Sequence, residues 1–90
     1  MFLKLNMKTF NKKPEKLWEW REYKKGCLIE NGIALNETAT FIWKCCDGIK
    51  TINDIVSEVA KHYKIKREKA KKDVLKLIKI LLKEKALRLK

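Results

Sequence analysis

The chain is short of several things that chemistry usually requires. Its 90 residues include one proline, one histidine, three glycines and no glutamine. Gly26, Gly32 and Gly48 stand apart from one another, so no glycine-rich loop exists to cradle a phosphate. His62 has no second histidine to join it. Of the three cysteines, Cys45 and Cys46 are adjacent and therefore poor partners for each other, and no Cys-x-x-Cys occurs. Metal clusters and a disulfide framework are both disfavoured, and Cys27, Cys45 and Cys46 read as small buried apolar groups. No nucleophile stands beside a base, and no carboxylates are paired for acid–base work, so neither catalysis nor a bound cofactor is expected. No apolar run approaches the roughly 20 residues that span a bilayer. The opening "MFLKLNMKTF" lacks the apolar core and cleavage site of a signal peptide, which places the chain in the cytoplasm.

Acidic residues are also scarce, at 11 against 23 Lys and Arg, for a net charge of +12. Residues 51–90 hold 13 basic and 5 acidic side chains, and residues 1–50 hold 10 and 6. A surplus of this size favours an anionic partner without choosing its kind. With 46% hydrophobic residues the chain can build one small core, and it has no room for a second domain.

The lone Pro14 closes a weakly patterned arm, residues 1–13, and residues 14–90 form the domain. "LWEWREY", Leu17 to Tyr23, alternates as a half-buried strand does. After a turn at Lys24, Lys25 and Gly26, "CLIE" and "IALN" flank Asn31-Gly32, a strong signal for a two-residue type I′ hairpin. That turn sets Leu28 opposite Leu35 and Ile29 opposite Ala34, leaving apolar residues on both faces. The N-terminal half is therefore expected to be a three-stranded antiparallel meander with Ile33–Leu35 at its edge.

Three helices should follow. Asn36 is a good N-cap, and Ala39, Ile42, Trp43 and Cys46 form one inward stripe that Asp47-Gly48 ends. Thr51 with Asp54 resembles a capping box ahead of Ile52, Ile55, Val56, Val59 and Tyr63, with His62 left in solvent. The last helix covers about 67–83. With Ala70 at zero and about 100° per residue, Lys69, Lys72, Lys76, Lys79 and Lys83 share one arc. Ala70, Val74, Leu75, Leu77, Ile78, Leu81 and Leu82 share the other.

"ENGIALNETATFIWKCCDGIKTINDIVSEVAKHY" followed by "KKDVLKLIKILLKEKAL" resembles the PqqD family of peptide chaperones. The matching features are Gly32, Leu35-Asn36 with Thr38, Ile42-Trp43, Asp47-Gly48, Thr51, Ile55-Val56, Asp73-Val74 and Leu77, with "KPEKLWEWRE" as lead-in. Where that family usually carries a glycine before its final apolar residues, this chain has Lys85-Ala86. The resemblance implies an α+β, winged helix-turn-helix-like fold, a three-stranded antiparallel sheet followed by three helices. It is the fold of a RiPP recognition element. Such a domain binds the leader of a ribosomally made precursor peptide as an added strand and presents it to a modifying enzyme, often a radical SAM protein.

The peptide site expected on this chain comprises Gly32, Ile33, Ala34 and Leu35 on the edge strand. On the last helix it comprises Ala70, Val74, Leu75 and Ile78, with Lys71 near the rim. Small Ala34 would leave room for a peptide side chain, and Asp73 is given a structural role, bonding to the sheet or to an N-terminus. The same exposed edge can pair two copies, so monomer and homodimer both stay open. The rival reading is a winged-helix nucleic-acid-binding protein. It is weakened because base readout relies on Arg, Asn and Gln, and the exposed stripe of the last helix is lysine alone.

Overall fold

The computed structural model describes residues 7–90, so the first six residues of the expected arm lie outside it. From Met7 the order is α1 (Met7–Phe10), β1 (Pro14–Lys16), β2 (Trp20–Tyr23), β3 (Gly26–Ile29) and β4 (Ala34–Leu35). There follow α2 (Glu37–Cys45), α3 (Ile52–Tyr63), α4 (Arg67–Lys83) and β5 (Leu87–Leu89). Strands β2, β3 and β4 form an antiparallel sheet in that order, and the three long helices follow it. A second, two-stranded sheet joins β1 to β5 with Glu15 opposite Arg88. None of the described helices is long and apolar enough to cross a membrane.

The caps act as their residue types predict. The side chain of Asn36 accepts from the Ala39 N–H at 2.8 Å. Thr51 and Asp54 complete a capping box, with the Thr51 Oγ accepting from the Asp54 N–H and the Asp54 carboxylate accepting from the Thr51 N–H, each at 3.0 Å. Helix α4 ends in a Schellman pattern, the Ala86 N–H donating to the Leu81 carbonyl and the Lys85 N–H to that of Leu82. Lys85, the first residue beyond the cap, takes the left-handed conformation that glycine usually supplies, with φ 56°.

Trp43, Cys46, Ile29, Ile52, Ile55, Val74, Ile78 and Leu81 form the centre of one core, inaccessible to solvent. Each large apolar side chain buried there contributes roughly 1.5–3 kcal/mol relative to exposure. Lys16 links β1 to this core: its ammonium donates to the Cys46 carbonyl at 3.0 Å, at the C-terminal end of α2 where a cation complements the helix dipole. Burial holds its pKa below the ordinary lysine value.

Two strand expectations need correction. The half-buried strand begins at Trp20 rather than Leu17, and Trp18 lies outside it, donating its indole N–H to the Lys85 carbonyl at 3.1 Å. The β3–β4 turn is also not a two-residue type I′ turn. Leu28 pairs with Ala34 and Cys27 with Leu35, one step from the expected register. The Gly32 N–H donates to Ile29 O at 2.9 Å and the Ile29 N–H to Ile33 O at 2.8 Å, so Glu30, Asn31 and Gly32 make a three-residue loop. A type I turn followed by a glycine of positive φ closes such a loop, and only Gly32, at φ 100°, takes the left-handed region here. The shift turns every β4 side chain over. Ile33 and Leu35 join Cys27 and Ile29 against the core, and Leu28 and Ala34 share the outer face. The sheet thus has one strongly apolar face, not two.

Candidate functional site

Strand β4 is the edge of its sheet. In an antiparallel ladder, hydrogen-bonded and non-hydrogen-bonded pairs alternate. Ile29 and Ile33 are a bonded pair, so the next pair, Leu28 and Ala34, is not. The N–H and C=O of Ala34 therefore point away from β3 and toward the open side. An exposed alanine lies between two residues anchored in the core, which gives a main-chain edge ready for another strand.

Where β4 ends, a groove begins. It has a volume of about 220 Å³. Asn36, Thr38, Ala39 and Ile42 wall it from α2, and Asp73, Lys76, Leu77 and Ile80 wall it from α4. Ile80 keeps 46% of its surface exposed, and Ile42 is buried at the floor. Lys69 bonds both carboxylate oxygens of Asp73, at 3.1 and 3.2 Å. Asp73 thus pairs along its own helix at the groove wall, and the sheet or N-terminal bond expected of it is replaced by this i,i+4 pair. Among the described residues Lys76 has no ion-pair partner, so its cation stays available at the rim.

The expected site residues separate into groups. Ile33, Ala34 and Leu35 sit at or beside the free edge, and Gly32 forms the loop that enters it. Ala34 points to the outer face, so its small size opens no space in the groove. Ala70, Val74 and Ile78 are 0% exposed and belong to the core. Lys71 lies on the other flank of α4, its ammonium 4.6 Å from the Phe10 ring centre. On the helical wheel Lys71 and Leu75 fall at roughly 100° and 140°, whereas Lys76, Ile80, Asp73 and Leu77 span roughly 240° to 340°. The α4 side of the groove is that second arc. Ile80 carried the readable signal, an isoleucine among lysines on the polar arc.

No group of His, Cys, Asp and Glu that could hold a metal occurs among the described residues. Cys27 and Cys46 are buried free thiols, and burial pushes Cys46 up to about 12. His62 is exposed, as expected, and stacks on Phe41 with ring centres 4.2 Å apart.

An open sheet edge beside a partly apolar groove, on a small α+β domain, defines a binding module rather than a catalytic centre. The family model described as coenzyme PQQ synthesis protein D (PqqD) matches residues 22–87. The chain belongs to the PqqD family, whose members are non-catalytic chaperones of precursor peptides and act with a modifying enzyme. Comparison with curated proteins and with solved structures found no match.

Proposed function

We propose that this chain binds the leader of a ribosomally synthesised precursor peptide by strand addition to β4 and presents it to a modifying enzyme, a radical SAM protein, in the cytoplasm. The observation that carries this reading is the outward-facing main chain of Ala34 at the mouth of the α2–α4 groove. Main-chain bonds to Ala34 supply affinity, and alternate side chains of the added strand reach Ala39, Leu77 and Ile80 and supply specificity. Lys76 at the rim and the exposed Lys72, Lys79 and Lys83 favour an acidic leader, speeding encounter in a way that salt weakens.

The test is a ¹⁵N NMR titration with the leader of a precursor peptide identified among the adjacent short open reading frames, and separately with random duplex DNA at low and moderate salt. Saturable shifts confined to residues 32–36 and to the groove wall of α4, seen with leader and persisting at moderate salt, are expected. Shifts with DNA alone, spread over the lysines of α4, would replace this reading by phosphate binding.

A further inference from the structure

We propose a second docking surface, on the outer face of the β1–β5 ribbon, that receives an acidic face of the modifying enzyme. The inference rests on the peptide-binding reading above and adds the place where the other partner sits. Among the described residues, the large exposed apolar side chains are few. Ile80 belongs to the groove and Tyr23 to the β2–β3 hairpin, which leaves Leu17, Trp18 and Ile49, exposed by 46, 44 and 75%. These three flank the ribbon. Glu15 opposes Arg88 in the ladder and Asp47 in an isolated bridge, so all three side chains share its outer face. Leu17 lies two residues beyond Glu15, with its N–H donating to Ala86 O at 2.9 Å, and returns to that face. Ile49 follows the turn whose Gly48 packs against Glu15.

The backbone behind each side chain is fixed. Asp47 accepts from the Ile49 and Lys50 N–H groups at 2.9 Å, and Gly48 donates to Pro14 O at 2.9 Å. The Trp18 indole is held by its bond to Lys85. Binding therefore has to order only the Leu17 and Ile49 rotamers, not the chain that carries them.

Charge selects the occupant. Of the acids here, Glu15 is paired with Arg88 and Lys90 and Asp47 with Lys50, while the exposed Glu19 and Glu84 beside Trp18 and Lys85 have no ion pair among the described residues. Lys12, Lys13, Lys50, Lys85, Arg88 and Lys90 outnumber these four acids. Lys12, Lys13 and Lys85 border the face with no ion-pair partner among the described residues. Apolar knobs inside a basic border fit a protein surface with an apolar depression and carboxylates around it. Nucleic acid would leave Ile49 and Leu17 without contact. The surface also lies at the correct end of the molecule. Helix α2 starts at the end of β4 and finishes at Cys46-Asp47 on the ribbon, so its nine residues separate the two surfaces by about 14 Å. Peptide and enzyme can therefore be held together.

The experiment measures calorimetric binding of the full chain to the purified peptide-modifying radical SAM enzyme of the same gene neighbourhood, once identified, with and without the precursor's leader. Ile49→Asp and Leu17→Asp alter only exposed positions, and an NMR spectrum of each checks the fold. Enzyme affinity should fall by about tenfold or more in both, as at an interface centre, with leader affinity unchanged. The leader-loaded wild type should still take the enzyme. Unchanged enzyme affinity in both variants overturns the proposal, as does mutual exclusion of leader and enzyme. Loss of enzyme in Ala34→Pro with retention in Ile49→Asp moves the enzyme to β4 and also overturns it. Sedimentation with phosphatidylserine vesicles that Ile49→Asp abolishes, without loss of enzyme binding, makes the face a membrane contact instead. A wild type that binds leader but no enzyme refutes the docking surface alone, and one that binds neither refutes the peptide reading itself.

Discussion

Gly26 lies against the main chain of Leu35 so closely that a methyl group on it would stand 1.9 Å from the Leu35 carbonyl oxygen. The contact is backbone on backbone, so no side-chain rotation relieves it. Gly26→Ala must push β4 away from β3 or distort both, at a cost of about 1–3 kcal/mol. If the leader adds to β4 as proposed, affinity for leader should fall along with stability. Thermal unfolding and a leader titration on the same variant measure both. A Gly26→Ala protein with wild-type Tm would refute the close approach.

Ala34→Pro should separate binding from folding. The Ala34 N–H faces the open side, so proline there removes no bond of the native ladder, and proline is tolerated on edge strands. The variant should fold with a Tm close to wild type, and its leader affinity should drop by at least about tenfold, the cost of one main-chain bond and a steric block. Wild-type affinity in a folded Ala34→Pro protein would move the added strand elsewhere.

The helices are readable because each signal has one reading: Asn36 and Thr51 cap, and Val74, Ile78 and Leu81 repeat at helical spacing into the core. The hairpin is not, because Asn31-Gly32 suits both a two-residue type I′ turn and a three-residue loop with glycine last. Packing decides between them. The observed register puts Ile33 and Leu35 on the core side, where the alternative would have put Ala34. The α4 residues expected at the site are a related case. A broad apolar arc suggested a lining surface, but in a domain this small packing against α3 and β5 buries Ala70, Val74 and Ile78 on that arc, and the open groove falls on the flank where Leu77 and Ile80 adjoin lysines.

Two isoleucines two positions apart on α4 should therefore behave in opposite ways. Ile78 is 0% exposed, and Ile78→Ala should cost about 2–4 kcal/mol with leader affinity preserved in whatever fraction is folded. Ile80 is half exposed at the groove, and Ile80→Asp should leave stability within about 0.5 kcal/mol and weaken leader binding severalfold. Chemical denaturation and titration of both variants test the pair. The reverse pattern would show that the leader lies on the core flank of α4.

Lys85 takes the glycine position of a Schellman cap, at φ 56°. A side chain with a Cβ pays about 1 kcal/mol there relative to glycine, so Lys85→Gly should raise stability by about that amount and Tm by several degrees. The gain is reduced by the extra freedom glycine has in the unfolded chain. Differential scanning calorimetry would measure it, and a lowered Tm would contradict the cap geometry.

Three carboxylates set the acid limit of the fold. Backbone N–H donation from Lys50, with its ammonium and the Ile49 N–H, holds Asp47 well below the ordinary carboxylate range. The Thr51 N–H lowers Asp54, and bonds from Arg88 and then Lys90 lower Glu15. Each group binds fewer protons folded than unfolded, so each contributes stability that is complete above its ordinary value, 3.8 for the two aspartates and 4.5 for Glu15. That stability is lost as pH falls through the lower, folded values. Tm should stay nearly flat from pH 7 to about 5 and fall steeply below about 4. In Asp47→Asn the turn keeps an acceptor but loses its titrating group. The variant should be less stable at pH 7 by about 1 kcal/mol and should lose less stability between pH 4 and pH 2 than wild type. An identical slope in the two proteins would remove Asp47 from the acid transition.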